Sequence, residues 1–262
     1  VLINTHFLRD LRLGKLDGRS DSANRSAVGE RVLVLGGGNV AIDCARSAVR
    51  LGAEVQIACL EQRQQMTSQD WEIEAAVEEG ILLHNGRSFE RILDDGTGRV
   101  AGVECMSVAS FHFDETGRLQ MEKVPGSEHI IECDSVIFSV GQRAGLAFIP
   151  DDAGVGMTAQ QTIAIDPNTL AASREGVFAA GDSVSGTSFV IEAVASGHTA
   201  AQSMIRYLQK ENLEPAPKPD LPVVHLSQEE LDERVARGEI KKHPRVPMPW
   251  LSVAERIHKF AE

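Results

Sequence analysis

Residues 36–41, Gly-Gly-Gly-Asn-Val-Ala, constrain the fold more than any other part of the chain. They follow a compact apolar run at 31–35 and precede a helical pattern of apolar residues that reaches Leu51. In this strand–turn–helix context, the G-x-G-x-x-A spacing is the arrangement that places main-chain amides around a pyrophosphate. Gly52 marks the end of the helix and residues 54–60 indicate a second buried strand, so the sequence predicts a β-α-β unit.

Each position of this loop has a physical role in anion binding. Gly36 allows the sharp turn after the strand, and Gly38 lets the main chain approach the pyrophosphate closely. The helix that follows presents unpaired amides and a partial positive charge to the same anion. The predicted dinucleotide-binding residues of the loop are therefore Gly36, Gly37, Gly38, Asn39 and Val40.

The second strand ends close to Glu61, where a ribose-binding residue is expected. A carboxylate there accepts hydrogen bonds from ribose hydroxyls and repels a 2′-phosphate, by about 4 kcal/mol per charge pair at roughly 4 Å and an effective dielectric of about 20. The pattern therefore favours NAD(H) over NADP(H). Two alternatives stay open, because Arg63 could instead bind a 2′-phosphate and Glu61 could be a solvated charge at a strand end.

Helical and strand patterns continue on both sides of this unit. A short helix over 7–14 precedes a polar stretch with loop composition at 17–26, and Ser68 is predicted to cap a helix over 69–79. The strands predicted after that helix cover residues 99–106, 119–124, 135–140, 162–166 and 177–180. The last two of these strands and an apolar helix over 189–208 form a second, incomplete α/β layer.

Beyond residue 212 the composition changes, since seven of the ten prolines lie between Pro215 and Pro249. Proline removes a backbone donor and fixes φ, so irregular structure is expected over much of this tail. Two short helices interrupt it, and a capping box opens each of them, at residues 227–230 and 252–255.

Acidic residues outnumber basic ones, with 38 Asp and Glu against 26 Lys and Arg and a net charge of −12. This charge disfavours nucleic acid binding, because it repels a phosphate backbone. The sequence has no apolar run of about 18 residues and no signal-peptide pattern at its start, so we predict no membrane association and a cytoplasmic protein. The first residue is Val, which favours the interpretation that the sequence begins inside a longer polypeptide.

The cysteines Cys44, Cys59, Cys105 and Cys133 form no C-x-x-C pair, so we expect them to be buried apolar residues. A disulfide reductase needs a reactive dithiol, and the spacing therefore argues against that activity. The eight histidines are scattered, without the helical spacing that brings two ligands to one face, and we predict no metal site.

A second motif lies at residues 176–182, Gly-Val-Phe-Ala-Ala-Gly-Asp, and a helix follows it near Val190 and Ile191. On physical grounds Asp182 can accept hydrogen bonds from polyol hydroxyls and the helix can present amides, although an ordinary β-turn-helix has the same pattern. The motif resembles the C-terminal flavin motif of pyridine-nucleotide-dependent flavoproteins, and residues 36–46 resemble their nicotinamide-nucleotide motif. The order of features resembles, more narrowly, the small subunit of glutamate synthase and its iron–sulfur flavoprotein relatives.

The resemblance implies a flavin site. Gly181 and Asp182 are expected near the ribityl and pyrophosphate groups of FAD, the amides of Val190 and Ile191 near the isoalloxazine, and Gly141 beside a cofactor. The relatives begin with an FAD-binding G-x-G-x-x-G unit and carry iron–sulfur cysteines, which this chain lacks, and many have an arginine pair suited to NADPH where this chain has Leu60 and Glu61. We therefore expect an iron–sulfur domain or a partner electron-transfer subunit.

The sequence and the resemblance together predict an α/β protein. A connector covers residues 1–28, a Rossmann-like NAD(P)-binding domain 29–144, the C-terminal part of an FAD-binding α/β domain 145–211 and a proline-rich tail with two short helices 212–262. The implied reaction is hydride transfer from NAD(P)H to FAD, followed by electron transfer to iron–sulfur centres or a partner subunit. It needs no acid or base, so no catalytic side chain is predicted. The alternative is a non-catalytic nucleotide-binding or electron-transfer docking module.

Overall fold

The computed structural model describes residues 1–16, 28–114, 118–214, 225–244 and 246–260. The strands of this part of the chain are β1 (Leu2–Ile3), β2 (Arg31–Leu35), β3 (Glu54–Ala58), β4 (Leu82–His84), β5 (Arg87–Asp94), β6 (Val100–Phe113), β7 (Leu119–Lys123), β8 (His129–Glu132) and β9 (Ser135–Phe138). The helices are α1 (Asn4–Arg12), α2 (Asn39–Arg50), α3 (Asp70–Glu78), α4 (Asp182–Ser185), α5 (Val190–Gln209), α6 (Gln228–Ala236) and α7 (Val253–Arg256).

A parallel sheet of five strands forms the centre of the fold, in the order β1-β9-β2-β3-β4. Strand β2 is its middle strand, and residues 32–35 are fully buried because both faces of the sheet are covered. On one face Val32 and Val34 pack in a core with Ile42 and other residues of α1, α2 and α3. The predicted α/β class and the β-α-β unit with its glycine loop are therefore confirmed.

The second face of the parallel sheet is covered by an antiparallel sheet. The first part of β6 pairs with β5 on one edge and β8 on the other, and Val103 and Cys105 of β6 pack in a core with Leu33 and Leu35. The last residues of β6 pair instead with β7. The β6–β7 hairpin thus continues past the part of β6 that pairs with both neighbours.

The helix predicted over 69–79 is confirmed as α3, but the prediction that Ser68 caps it is wrong. The N-cap residue is Gln69, and it makes no side-chain capping bond. Ser68 instead donates its hydroxyl hydrogen to the carbonyl of Gly37, in a buried contact of 2.7 Å. The hydroxyl of Ser68 thus binds a group 31 positions away and does not cap the helix. The sequence pattern does not indicate this distant partner.

The strands predicted at 162–166 and 177–180 are also wrong. These residues form only isolated bridges, between Met157 and Ile163, Ile165 and Ala172, and Ala171 and Phe178. None of these bridges extends into a ladder, so the β-branched residues of the two segments do not build a sheet. The long helix predicted after them is confirmed as α5.

The N-terminal residues that we predicted as a connector contribute to the central fold. Strand β1 pairs with β9, and α1, which confirms the predicted first helix, buries Phe7 in the core beside α2. The predicted loop at 17–26 lies outside the described residues. The four domain boundaries stay predictions, since neither the sheet order nor the core clusters test them.

The two predicted short helices of the tail are confirmed as α6 and α7, and most of the proline-rich stretch between α5 and α6 lies outside the described residues. Helix α7 docks on the face of α2 and α3. Its Arg256 is buried and pairs with Glu78 at 2.6 Å and with Glu79 at 2.9 Å, while Trp250 meets Trp71 edge to face. Within the described residues no helix has both the length and the hydrophobicity to cross a membrane.

Candidate functional site

The glycine loop connects the end of β2 to the start of α2. Gly36 has a φ of +126°, and a Cβ at this position would lie 2.2 Å from the carbonyl oxygen of Ser139. Gly38 has an ordinary extended backbone, and a Cβ there would meet only Thr67 Oγ1, at 3.6 Å. Gly36 is therefore required by the fold, whereas the space over Gly38 is open to a ligand.

The first turn of α2 faces this open space. Its first intrahelical bonds run from Ala41 and Ile42 to the carbonyl of Gly38, so the amides of Asn39 and Val40 precede the bonded part of the helix. Unpaired amides at the start of a twelve-residue helix, together with its positive dipole end, suit a pyrophosphate. A side chain at Gly38 would fill the cradle that such an anion occupies.

The segment before α3 forms hydrogen bonds with the glycine loop. Ser68, which is 7% exposed, binds the carbonyl of Gly37, and the amide of Gln69 donates to Asn39 Oδ1 at 3.1 Å. Thr67 lines the same space. The sequence does not indicate these roles of Thr67 and Ser68, because a serine before a helix is the usual sign of an N-cap.

The structure separates the two residues predicted to select the nucleotide. Glu61 lines the crevice, and a Cβ placed on Gly37 would lie 3.0 Å from its Oε2 atom, so the carboxylate is next to the loop. Arg63 is in a short 3-10 turn, pairs with Asp70 at 3.0 Å and does not line the crevice. Of these two charged side chains, only Glu61 therefore faces the crevice.

On the other side of β2, the segment after β9 closes the crevice. Gly141, with a φ of +108°, lines it together with residues 139–142. Asn4 at the start of α1 donates to Ser139 Oγ at 3.1 Å, and both residues are buried. Asn4 lies 135 positions from Ser139, and no sequence pattern indicates the contact between them.

These elements surround a single crevice of about 820 Å³, a volume in the range of cofactor sites. Its lining brings together most of the predicted nucleotide-binding residues. They are Gly36, Gly37, Gly38, Asn39, Val40, Glu61 and Gly141. The sequence did not predict the apolar side of the crevice, which consists of Phe89, Phe111, Phe113, Leu119 and Met121, together with Phe189.

The predicted flavin-binding residues lie outside this lining. Gly181 has a φ of +64°, and its amide donates to Ser196 Oγ of α5 at 2.9 Å, while Asp182 begins α4 and is exposed. The motif is thus attached to the long helix. Its backbone conformation needs glycine at position 181.

Helix α5 begins beside the crevice at Phe189. Its first bonds run from Glu192 and Ala193 to the carbonyl of Phe189, so the amides of Val190 and Ile191 precede them. Val190 and Ile191 are 80% and 73% exposed. The carboxylate of Glu192 accepts hydrogen bonds from Ser188 Oγ and from the amide of Phe189.

The cysteines contribute no reactive thiol, and their predicted burial is confirmed. Burial raises the pKa of Cys44 and Cys59 to about 12 and that of Cys105 and Cys133 to about 11. Cys59 lies directly beneath Gly37, and the carboxylate of Glu61 adds to its shift. In the described part of the chain, no cluster of three or more His, Cys, Asp or Glu residues could hold a metal ion.

Comparison with known families agrees with this geometry. Residues 9–199 match the family described as pyridine nucleotide-disulphide oxidoreductase. Thioredoxin reductase from T. acidophilum has a similar structure, with a TM-score of 0.54 and 27% identity over 70% of this chain and 53% of that protein. FprA from Mycobacterium tuberculosis shares the fold at a TM-score of 0.53 and 16% identity, over 70% of this chain and 53% of that protein.

Curated relatives extend the similarity over nearly the whole chain. The NADPH-Fe(3+) oxidoreductase subunit beta of Geobacter sulfurreducens is 32% identical over 97% of this chain and 38% of its own length. The NADP(+)-dependent formate dehydrogenase subunit beta of Moorella thermoacetica is 36% identical over 98% of this chain and 35% of its own length. The glutamate synthase [NADPH] small chain of Escherichia coli is 35% identical over 70% of this chain and 40% of its own length. The chain thus spans about two fifths or less of each of these relatives.

Proposed function

The chain belongs to the pyridine nucleotide-disulphide oxidoreductase family, and from that premise we propose that it is the NAD(P)H-binding part of a flavin-dependent oxidoreductase. The observation that carries the proposal is the cradle over Gly38, where the start of α2 presents unpaired amides to an open crevice. Gly36, Gly37, Gly38, Asn39 and Val40 would hold the pyrophosphate of the dinucleotide there.

Two further parts of the crevice support a dinucleotide as the ligand. Glu61 on one side of the loop would accept the ribose hydroxyls, and Gly141 on the other side would leave space beside the nicotinamide half. Because the loop lies between these two residues, a ligand with its diphosphate in the middle matches the order of the groups. We predict no catalytic side chain, since the chain would act by positioning the donor ring.

The described residues also fit part of a flavin. We propose that Gly181 and Asp182 contact the polyol chain of FAD and that the amides of Val190 and Ile191 face its electron-rich ring edge. When bound, FAD would supply the acceptor for a hydride from NAD(P)H. The high exposure of Val190 and Ile191 is compatible with a covering group at the start of α5.

We propose that this protein prefers NADH, although the relatives named above are named for NADPH or NADP(+). The Glu61 carboxylate beside Gly37 would repel a 2′-phosphate, while Arg63 is already paired with Asp70. An arginine held by a carboxylate must give up that contact before it can bind a phosphate. Arg63 would therefore compensate poorly for the charge of Glu61.

We further propose that the electrons pass to an iron–sulfur domain or a partner subunit. Two of the relatives are named as subunits and a third as a small chain, which supports an assembly of this kind. Four buried, unpaired cysteines and the acidic charge are compatible with the cytoplasm as the location.

A titration of the purified chain with FAD and NADH tests the proposal. We expect saturable NADH binding, and in the flavin-loaded protein we expect NADH to bleach the visible flavin absorbance under anaerobic conditions. Binding of NADH without any flavin reduction would favour a non-catalytic nucleotide-binding or docking module. Failure to bind either NADH or NADPH would contradict the assignment of the crevice.

A further inference from the structure

Four apolar side chains of the β6–β7 hairpin form a surface that the proposed function does not explain. Phe111 pairs with Met121 and Phe113 pairs with Leu119 across the two strands, and all four line the crevice. We name these four residues the apolar platform. The rings of Phe111 and Phe113 meet edge to face with centroids 6.5 Å apart, and Phe113 is 64% exposed.

The hairpin is polar on its other side. The residues that alternate with the platform along the two strands are Ser110, His112, Gln120 and Glu122, and none of them lines the crevice. An apolar patch with a polar surround on the wall of a crevice is typical of a ligand surface. In a hairpin with two solvent-exposed faces, by contrast, both faces would be polar.

The platform lies toward one particular side of the crevice. Strand β5 begins beside β3, where the amide of Arg87 donates to the carbonyl of Cys59 at 2.8 Å, close to Glu61. Strand β7 is on the opposite edge of β6 from β5. On the β5 edge, the amide of Val108 donates a hydrogen bond to the carbonyl of Gly86, and on the β7 edge the carbonyl of Ser107 accepts one from the amide of Val124. The chain then continues through β8 into β9. The two platform residues on β7, Leu119 and Met121, are therefore on the edge of β6 away from β5 and Glu61, which is the edge that leads to β9.

We propose that the apolar platform binds the nicotinamide ring of the dinucleotide and shields it from water, an inference that rests on the proposed function. With the pyrophosphate at Gly38 and the adenosine ribose at Glu61, the nicotinamide half extends toward the segment after β9. That segment and the platform line the same crevice. The reduced nicotinamide is a flat, uncharged ring, and aromatic and aliphatic side chains provide the contact area that such a ring needs.

The platform would also affect the reaction. A ring held against Phe111 and Phe113 loses rotational freedom and is kept from bulk water, which favours a defined orientation of its hydride. The adenosine half of the dinucleotide does not contact the platform, so the platform adds nothing to the affinity for that half. The proposal therefore predicts that the platform distinguishes a complete dinucleotide from a fragment that lacks nicotinamide.

Two ligands and two variants of the full 262-residue chain test this prediction. The ligands are NADH and ADP-ribose, which differ by the nicotinamide, and the readouts are calorimetric affinity and the fluorescence of the nicotinamide ring. We expect the double variant Phe111→Ala/Phe113→Ala to bind NADH about tenfold more weakly, as expected for loss of ring stacking, with ADP-ribose unchanged. The enhanced, blue-shifted NADH emission expected in the native protein should decrease in this variant.

The matched control is His112→Ala, on the polar side of the same strand, which should change neither affinity. Should the double variant fold poorly, Phe113→Ser alone replaces it, because that ring is already largely exposed. An unchanged NADH affinity, or an equal loss for NADH and ADP-ribose, would overturn the role of the platform while leaving the dinucleotide site intact. If the native chain bound neither ligand, the proposed function itself would fail, and the platform proposal with it.

Discussion

The hydroxyl of Ser68 donates a hydrogen bond of 2.7 Å to the main-chain carbonyl of Gly37. Together with the bond from the amide of Gln69 to Asn39 Oδ1, it fixes both sides of the Gly38 cradle to the segment that leads into α3. The loop is thus held in shape by the protein's own groups. A site held in this way loses less conformational entropy when its ligand binds.

Replacement of Ser68 should weaken this support. Ser68→Ala leaves the buried carbonyl of Gly37 without its partner, so we expect a loss of about 1 to 3 kcal/mol in the free energy of unfolding and a several-fold weaker NADH affinity. Urea unfolding and calorimetry measure the two effects. Ser110→Ala, which removes an exposed hydroxyl on β6, should change stability by less than about 0.5 kcal/mol. Equal effects of the two substitutions would contradict the role of Ser68.

The two glycines at the ends of the loop should respond differently to alanine. Gly36→Ala places a methyl group against the carbonyl of Ser139 and forces a positive φ, so the melting temperature should fall strongly. Gly38→Ala has space in the fold, so the melting temperature should stay within about 2 °C while NADH affinity falls by about tenfold or more. Thermal unfolding with and without NADH measures both. Undiminished NADH binding by Gly38→Ala would contradict a pyrophosphate at the cradle.

Removal of the charge at Glu61 should change the nucleotide preference. We expect Glu61→Gln to bind NADPH about tenfold more tightly than the native chain does, with little change for NADH, since the loss of repulsion is reduced by solvent in the open crevice. Competition between the two nucleotides in a fluorescence titration measures the ratio. Arg63→Gln is the matched comparison, and a selective loss of NADPH binding there would mean that Arg63, released from Asp70, binds the 2′-phosphate.

The carboxylate of Glu79 should make stability depend on pH. Burial alone would raise the pKa of Glu79, but hydrogen bonds from Arg46 and Arg50 and their charges outweigh it and hold the pKa below its usual value. A carboxyl group that is more acidic in the folded state stabilises the fold above its unfolded pKa of about 4.3, and this contribution disappears as the pH falls through the lower folded value. Urea unfolding between about pH 6 and about pH 3 should show that loss.

Glu79→Gln tests the same cluster at neutral pH. The substitution leaves Arg46, Arg50 and Arg256 buried without their shared carboxylate, and we expect a loss of about 3 to 5 kcal/mol. The control is Glu78→Gln, since the side chain of Glu78 is 60% exposed, whereas that of Glu79 is fully buried. Its loss should be much smaller, and its acid dependence should match that of the native chain.

The parts of the fold that follow from local patterns were predictable. The G-x-G-x-x-A loop, the buried strand before it and the helix after it are encoded within residues 31–51, and the structure confirms each. The strands predicted at 162–166 and 177–180 were wrong because β-branched residues indicate an extended chain but not a partner strand. Those segments meet neighbouring segments only at isolated bridges, and no ladder follows.

The residues of the glycine loop could be predicted from the sequence, but most of those that surround the rest of the crevice could not. Gly36 and Glu61 follow from spacing, whereas Asn4 and Ser68 act through partners 135 and 31 positions away. The apolar platform depends on the β6–β7 register and on a register shift near Val108 that orients the end of the strand. Such tertiary relationships leave no periodic signal within one segment.

Strand β6 has one further consequence, for how a nucleotide enters and leaves. Its residues 102–105 pair on both edges and help form the core, and the same strand continues to Phe113 above the crevice. A hinge movement at the base of the hairpin, before Val108, would therefore break pairings inside the domain. We expect the nucleotide to exchange through rotation of the platform side chains, in picoseconds to nanoseconds, and not through slow movement of the whole hairpin away from the core.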